Sequence, residues 1–189
     1  MSFRTRRTRQ AGSGDAGQAA REAVARALAD PDSNVVPLPE RRRVLLIASG
    51  GGHWIELARL AAAFRHCDCQ FVSTTPNLAA PVGERPVWQV TDSSRDSTLT
   101  MLSTIHEIWR VLHRFRPDMV VSTGAAPGAI ALYIAKFMGL RTIWIDSIAN
   151  SDELSMSGRM VHFAADLWLT QWPHLAQMTG RLQYFGRVL

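Results

Sequence analysis

The chain has 189 residues and a formal net charge of +5, and 47% of its residues are hydrophobic. This length suffices for one domain of about 150 residues and an arm. No run reaches the ~18 apolar residues of a membrane-spanning helix, and the basic N-terminus lacks the apolar region of a signal peptide. Cys67 and Cys69 are the only cysteines, which argues against a disulfide framework and a zinc site and favours a reducing, cytosolic setting.

Residues 1–39 are predicted to form an arm that is partly disordered or amphipathic, and residues 40–189 form the folded domain. The arm is rich in Arg, Gly, Ser and Ala and ends in a proline-marked stretch. Such arginine clusters fit anionic lipid, phosphate or nucleic acid equally well, and a solvated tail explains them too. The clustered arginines are Arg4, Arg6, Arg7 and Arg9, with residues 41–43 just before the first strand.

The domain begins with a predicted strand that ends in a glycine turn. The apolar run 44–49 stops at Gly50, Gly51 and Gly52, and helical spacing begins after His53. A strand, a glycine turn and a helix in this order gather backbone N–H groups and a positive helix N-terminus, which suits a phosphate or another anion. His53 adds a group that moves protons near neutral pH. Two alternatives stay open: a purely structural turn, and a histidine that only hydrogen-bonds at the helix N-terminus.

Strands and helices alternate through the rest of the domain. This alternation predicts an α/β fold, a Rossmann-like parallel sheet with helices on both faces. The 3.6-residue period puts Leu102, Ile105, Trp109 and Leu112 on one stripe of a long helix, and residues 125–140 are typical of a buried helix. The predicted strands are 44–49, 70–74, 87–90, 119–123, 142–146 and 167–170, and the predicted helices are 54–65, 99–116, 128–138, 157–163 and a short one after Pro173.

Ligands of such sheets bind beyond the carboxyl ends of the strands, where further polar or small-residue loops are predicted. Residues 122–128 join a strand to a helix through small residues, and two such cradles at one edge suit a diphosphate better than one. Residues 92–97 supply two aspartates and an arginine, or are equally a polar loop and helix cap. Asp146 can cap a helix or a turn, anchor a sugar hydroxyl or orient His53.

Signatures of other α/β sites are missing from the sequence. Residues 71–75 read F-V-S-T-T, without the carboxylate that binds ribose in dinucleotide-binding domains, and the G-x-G-x-x-G spacing is absent. The G-K-[ST] of a P-loop and the G-x-S-x-G of an α/β-hydrolase are absent as well. These observations argue against a dinucleotide-binding domain, a nucleotide triphosphatase and an α/β-hydrolase.

Five motifs follow one another in the domain: S-G-G-G-H at 49–53, D-S-S-R-D-S at 92–97, V-S-T-G-A-A-P-G at 121–128, I-W-I-D-S-I-A at 143–149, and T-Q-W-P at 170–173 with Y-F-G-R-V-L at 184–189. Together they resemble the two-part glycosyltransferases, in which an acceptor-side, membrane-associated subunit pairs with a donor-side subunit. The eukaryotic relative is the anchoring subunit of the N-acetylglucosaminyltransferase of dolichol-linked oligosaccharide synthesis. Bacterial relatives are glucuronosyl- or hexosyltransferase subunits of exopolysaccharide and capsule synthesis. The resemblance covers residues 43–189, with a more distant likeness to the N-terminal half of the transferase that makes lipid II.

The resemblance implies a fold equivalent to the N-terminal half of a GT-B glycosyltransferase. An inverting transfer needs a base for the acceptor hydroxyl, and His53 is the first candidate, with Asp146 and Asp96 in reserve. No metal cluster is visible, and no cofactor is expected. Asn150 stands where relatives often carry a basic residue. The predicted acceptor and diphosphate contacts are Gly50, Gly51, Gly52, Arg95, Gly124, Ala125, Ala126 and Ser147.

The sequence therefore predicts the acceptor-binding subunit of an inverting glycosyltransferase, active in complex with a donor-binding subunit. It would transfer glucuronic acid, N-acetylglucosamine or another hexose from a UDP-sugar to a polyprenyl-diphosphate-linked saccharide, for exopolysaccharide or capsule. It would lie peripherally at the cytoplasmic face of the inner membrane and bind no nucleic acid. Residues 184–189 are expected to dock on the donor subunit or to close this domain's own sheet. The alternatives are a non-catalytic membrane-recruiting and assembly subunit and a stand-alone nucleotide-binding enzyme.

Overall fold

A computed structural model describes residues 41–92, 98–177 and 180–189, and the predicted arm lies outside these ranges. Within them the predicted strands and helices are confirmed, with ends that differ by a few residues. The strands are β1 (Arg43–Ala48), β2 (Asp68–Ser73), β3 (Trp88–Gln89), β4 (Met119–Gly124), β5 (Arg141–Ile145) and β6 (Leu167–Leu169). The helices are α1 (Gly52–Leu60), α2 (Thr98–Phe115), α3 (Ala125–Phe137), α4 (Met156–Met160) and α5 (Pro173–Ala176), and 3-10 turns follow α1 at Ala61–Phe64 and α4 at Val161–Phe163.

The strands form one sheet in the order β3-β2-β1-β4-β5-β6, and every neighbouring pair is parallel. The chain therefore builds the sheet outward from β1 in one direction and from β4 in the other. This strand order is that of the Rossmann fold, and its ligand crevice lies where the order reverses. The predicted Rossmann-like parallel sheet is thus confirmed, and it places the ends of β1 and β4 side by side.

Helices cover both faces of the sheet, and β1 shows why its sequence is continuously apolar. Successive strand residues point to opposite faces. Leu45 and Ile47 belong to the core that packs with α2 and α3, whereas Leu46 and Ala48 belong to the core that packs with α1. Because helices cover both faces of this central strand, the side chains on both of its faces are buried and apolar.

The predicted apolar stripe of α2 lies on a confirmed helix, but three of its four members face away from the core. Leu112 is fully buried, but Leu102 is 59% exposed, Trp109 is 47% exposed and Ile105 is also exposed. The helix carries two apolar stripes, and periodicity alone does not tell which one meets the sheet. The stripe that packs inward consists of Thr104, Ile108, Leu112 and Phe115, which leaves an outer apolar face on α2.

α3 confirms the predicted buried helix, since Ala129, Ala131, Leu132 and Ala135 are all buried. It begins at Ala125 rather than at Gly128, so the small residues of the predicted loop form its first turn. Across residues 41–92, 98–177 and 180–189, the helices fall short of the combined length and apolarity that a membrane span requires.

The C-terminal segment packs on its own domain over part of its length. Gln183 bridges to Leu169 at the end of β6, and the Val188 amide donates to the Gln171 side chain at 2.9 Å. Leu189 packs against the core under α1. Phe185, by contrast, is 68% exposed. The segment thus closes the edge of the sheet at its two ends and exposes an aromatic ring between them.

Candidate functional site

The two predicted cradles meet at the point where the strand order reverses. Ala48 pairs with Gly124, whereas the preceding residue, Ile47, pairs with Ser122, so the register shifts by one residue and Thr123 is left over. Irregularities of this kind re-aim side chains at the rims of sheets. Here the Thr123 hydroxyl donates to the carbonyl oxygen of His53 at 2.8 Å. A hydrogen bond therefore links the end of β4 to the first turn of α1.

The first cradle is the glycine turn between β1 and α1. Gly51 has φ 68°, in the left-handed region that favours glycine. A Cβ at Gly50 would overlap the Thr75 hydroxyl beyond β2, and the Gly50 amide donates to Thr74 Oγ1 at 3.2 Å. Within the described residues, no side chain caps the start of α1. Its first N–H groups and the positive end of its dipole are left for an anion.

The second cradle is the junction between β4 and α3. Gly124 has φ 153° and Ala125 has φ 65°, both values that L side chains rarely adopt. As far as the described residues show, no side chain caps this helix either. Ala125 and Ala126 are partly exposed. The predicted small residues therefore surround two uncapped helix starts that follow neighbouring strands.

His53 lies between the cradles. A Cβ at Gly124 would overlap the imidazole ring, so the ring rests against the Gly124 backbone and only glycine allows this approach. The Nδ1 atom is buried and, among the described residues, has no hydrogen-bond partner. The side chain as a whole is 31% exposed. The exposed part is therefore the side of the ring away from Nδ1, which carries Nε2.

Glu56 faces the buried edge of this ring, and sequence reasoning missed it. Its Oε2 lies 3.6 Å from His53 Nδ1, and its Oε1 accepts from the Ser147 hydroxyl at 2.7 Å and from the Ile148 amide at 3.0 Å. Burial acts to raise the pKa of Glu56, but the His53 ring, the Ser147 hydroxyl and the Ile148 amide outweigh it and hold that pKa below its ordinary value. Glu56 is therefore ionised at neutral pH, although it is only 5% exposed.

One signal in the sequence could have found Glu56. A His and a Glu three residues apart on a helix share one face. Apolar character misleads at this point of the helix, because Ile55 is exposed and Glu56 is buried.

The Asp146 carboxylate accepts hydrogen bonds from the end of β5 and from the loop that follows it. It is buried and accepts from the indole of Trp144, from both the amide and the hydroxyl of Ser155, and from the side chain of Asn150. These contacts support the loop and the start of α4, as the turn and capping alternative predicts. Among the described residues, the carboxylate beside the His53 ring is that of Glu56, which does not support the predicted alternative that Asp146 orients His53. Catalysis by Asp146 stays a prediction.

Of the other predicted site residues, the structure describes Ser147 but not Arg95 or Asp96. Ser147 is buried and its hydroxyl donates to Glu56, so it supports the site from inside. Arg95 and Asp96 lie outside the described residues, and their roles stay predictions. The arrangement as a whole offers backbone N–H groups for a diphosphate next to one accessible imidazole nitrogen.

Comparison with known proteins adds two kinds of relative. A family model described as "Oligosaccharide biosynthesis protein Alg14 like" matches residues 85–188. The human UDP-N-acetylglucosamine transferase subunit ALG14 is 22% identical over 184 residues, 79% of this chain and 84% of the relative. The same subunit of Yarrowia lipolytica is 31% identical over 104 residues, 52% of this chain and 48% of the relative.

Solved structures match the fold. MurG of Acinetobacter baumannii superimposes with a TM-score of 0.60 at 13% identity, covering 76% of this chain and 45% of MurG. The UDP-N-acetylglucosamine 2-epimerase of Rickettsia bellii gives a TM-score of 0.62 at 14% identity, covering 79% of this chain and 46% of the epimerase. The chain thus spans about half the length of these structures and has the fold of one half of a GT-B protein.

The match to the family model includes the second cradle and the Asp146 loop but begins after the glycine turn and His53. It covers more than half of the sequence, from the segment before β3 to the penultimate residue. The chain therefore belongs to the family of Alg14-like oligosaccharide biosynthesis proteins.

Proposed function

We propose that this protein is the acceptor-side subunit of an inverting glycosyltransferase and that His53 is its general base. The observation that carries the proposal is the placement of one accessible imidazole nitrogen between two uncapped helix starts at the reversal of strand order. The helix starts suit the diphosphate of a lipid-linked acceptor. The names of the relatives, subunits of a UDP-N-acetylglucosamine transferase, support both the sugar-nucleotide donor and the need for a second subunit.

The proposed reaction is a single displacement. An acceptor hydroxyl transfers its proton to His53 Nε2 while its oxygen attacks the anomeric carbon of the donor sugar. The bond between that carbon and the β-phosphate oxygen of the UDP-sugar breaks, and its electron pair remains on UDP. The donor-binding subunit holds most of the UDP-sugar, and this chain holds the acceptor.

The transferred sugar and the pathway are proposed from different observations. The names of the relatives favour N-acetylglucosamine, whereas the motif resemblance to bacterial subunits favours glucuronic acid or a hexose for exopolysaccharide or capsule. The shared chemistry is a UDP-sugar and a polyprenyl-diphosphate-linked saccharide. Parallel assays with UDP-N-acetylglucosamine and UDP-glucuronic acid distinguish the two.

The full chain and a donor-binding subunit are expected to transfer sugar only when mixed. The physical reason is that one half-domain offers the acceptor site without the facing donor site. Transfer of radiolabelled sugar to a polyprenyl-diphosphate-linked acceptor measures this. Full activity of the isolated chain would instead support the stand-alone enzyme.

A matched pair of variants tests where the subunits dock. Phe185→Ser changes an exposed ring of the C-terminal segment, whereas Phe137→Ser changes an even more exposed ring at the end of α3. If the donor subunit docks at the C-terminal segment, only the first variant lowers co-purification. Equal yields from both variants would place the interface elsewhere.

The outer face of α2 supports the proposed peripheral attachment to a membrane. It exposes several large apolar side chains, and Arg110 and Arg114 of the same helix are exposed as well. Apolar side chains flanked by cations suit the interface of an anionic bilayer. Trp54, by contrast, packs edge-on against Phe71 and is not part of this face. The exposed side chains are Leu99, Met101, Leu102, Ile105 and Trp109.

We expect the full chain to co-sediment with vesicles that contain anionic lipid. Binding should fall when the salt concentration rises, because salt screens the arginines. It should also fall on deletion of residues 1–39, since each cation near the surface contributes about 1 kcal/mol. The double variant Leu102→Ser, Ile105→Ser should weaken binding further, and Phe137→Ser serves as its control. Undiminished binding after all of these changes would contradict both proposed contacts.

A further inference from the structure

Two buried polar atoms at the site face each other without hydrogen bonds. His53 Nδ1 and Glu56 Oε2 are both inaccessible to solvent, and neither has a hydrogen-bond partner among the described residues. Leaving a buried polar atom unpaired typically costs about 1–3 kcal/mol. The two atoms are 3.6 Å apart, slightly beyond hydrogen-bond range. A small rotation of either side chain satisfies both at once.

The other carboxylate oxygen of Glu56 holds that side chain in place. Oε1 accepts from the Ser147 hydroxyl and from the Ile148 amide, so the carboxylate is held by two donors that belong to the loop after β5. The Ser147 hydroxyl in turn accepts from the Ala149 amide at 3.2 Å. The orientation of Glu56 is therefore set from outside α1, and its free oxygen points to the ring.

We propose, on the basis of the proposed role of His53 as a base, that Glu56 is a positioning residue that accepts the Nδ1 proton of His53. The acceptor on one ring nitrogen decides which nitrogen carries the proton in the neutral imidazole. With Nδ1 protonated, Nε2 keeps its lone pair on the exposed side of the ring, where the acceptor hydroxyl arrives. When Nε2 takes the proton, the imidazolium lies against a carboxylate that is already ionised.

The expected consequence is a reversal of the tautomer in Glu56→Gln. The amide oxygen can still accept from Ser147 and Ile148, and the NH2 group then donates toward Nδ1. Nδ1 becomes the acceptor and the ring proton moves to Nε2, which loses its capacity as a base. Turnover of the complex should fall by about tenfold. Glu153→Gln makes the same chemical change at an exposed residue and should leave turnover unchanged.

Nitrogen-15 spectra of the full-length labelled chain test the tautomer directly, at a pH where imidazoles are neutral. The chain has 6 histidines, and the His53 signals are assigned by their loss in His53→Ala. We expect protonated Nδ1 in the wild type and protonated Nε2 in Glu56→Gln. A wild-type ring protonated at Nε2, or an unchanged tautomer in the variant, overturns the proposal.

The outcomes also separate this inference from the proposed function. Circular dichroism shows whether Glu56→Gln folds. If it does not fold, the tautomer of His53 in the wild type still decides whether Glu56 accepts the Nδ1 proton. Unimpaired turnover of His53→Ala would overturn the function of His53 as a base, whatever the tautomer. A protonated Nδ1 with an inactive His53→Ala supports both.

Discussion

Replacement of His53 by alanine is expected to lower the turnover of the assembled two-subunit complex by about a hundredfold or more, the usual effect of losing a general base. The ring is the accessible proton acceptor between the two cradles, and alanine removes it without adding bulk. Sugar transfer to the lipid-linked acceptor at saturating donor measures the effect. Co-purification with the donor subunit shows whether the complex still forms.

His66→Ala is the matched control, because His66 is exposed and its ring bonds only to the neighbouring Arg65 among the described residues. It should leave turnover unchanged. Near wild-type turnover of an intact His53→Ala complex would instead favour the non-catalytic recruiting subunit, with all chemistry in the partner.

Replacement of Gly124 by alanine is expected to impair the site as severely as the loss of His53. The new Cβ would overlap the imidazole ring, which must then leave its place against β4. The backbone at φ 153° and ψ 179° is also a conformation that is essentially restricted to glycine, with a cost of order 1–3 kcal/mol for other residues. We expect about a hundredfold lower turnover, together with a lower midpoint of denaturant unfolding.

Gly139→Ala is the control that distinguishes the effect of backbone strain from the effect of displacing the His53 ring. Gly139 has φ 75°, but a Cβ there would meet no atom within 4 Å. This control should lose stability through backbone strain and keep its turnover. Wild-type turnover in a folded Gly124→Ala variant would show that the position of the ring against Gly124 does not matter for the reaction.

The sequence predicted the sheet because its strands are short apolar runs between helices, and only a doubly covered parallel sheet buries such runs. It did not predict the orientation of α2, because the stripe through Leu102 and Ile105 and the stripe through Ile108 and Phe115 satisfy the same periodicity. Which stripe faces inward depends on the fit to the sheet and to α3, a property of the packed structure.

The site was predictable as far as it depends on local backbone. Gly50 to Gly52 and Gly124 to Ala126 stand out because turns of this kind need small residues. The partner of His53 was not predictable in the same way. The Glu56 carboxylate is held beside the ring by hydrogen bonds from Ser147 and Ile148, which lie far along the chain. Asp146 stood out as a carboxylate at a strand end, yet its donors are Trp144 of β5 and Asn150 and Ser155 of the loop that follows.

The bond between Glu56 and Ser147 joins positions 91 residues apart, which has a consequence for the order of folding. Contacts of such long sequence separation form only after the intervening chain has been ordered, because loop closure costs entropy first. β1, the glycine turn and α1 can assemble early with β2, but the carboxylate beside His53 is unrestrained until β4 and β5 have joined the sheet. The Ile148 amide, which donates its hydrogen bond to Glu56, can then report this step in hydrogen exchange. Its protection should appear late in refolding and should disappear first in any partial unfolding that releases β5.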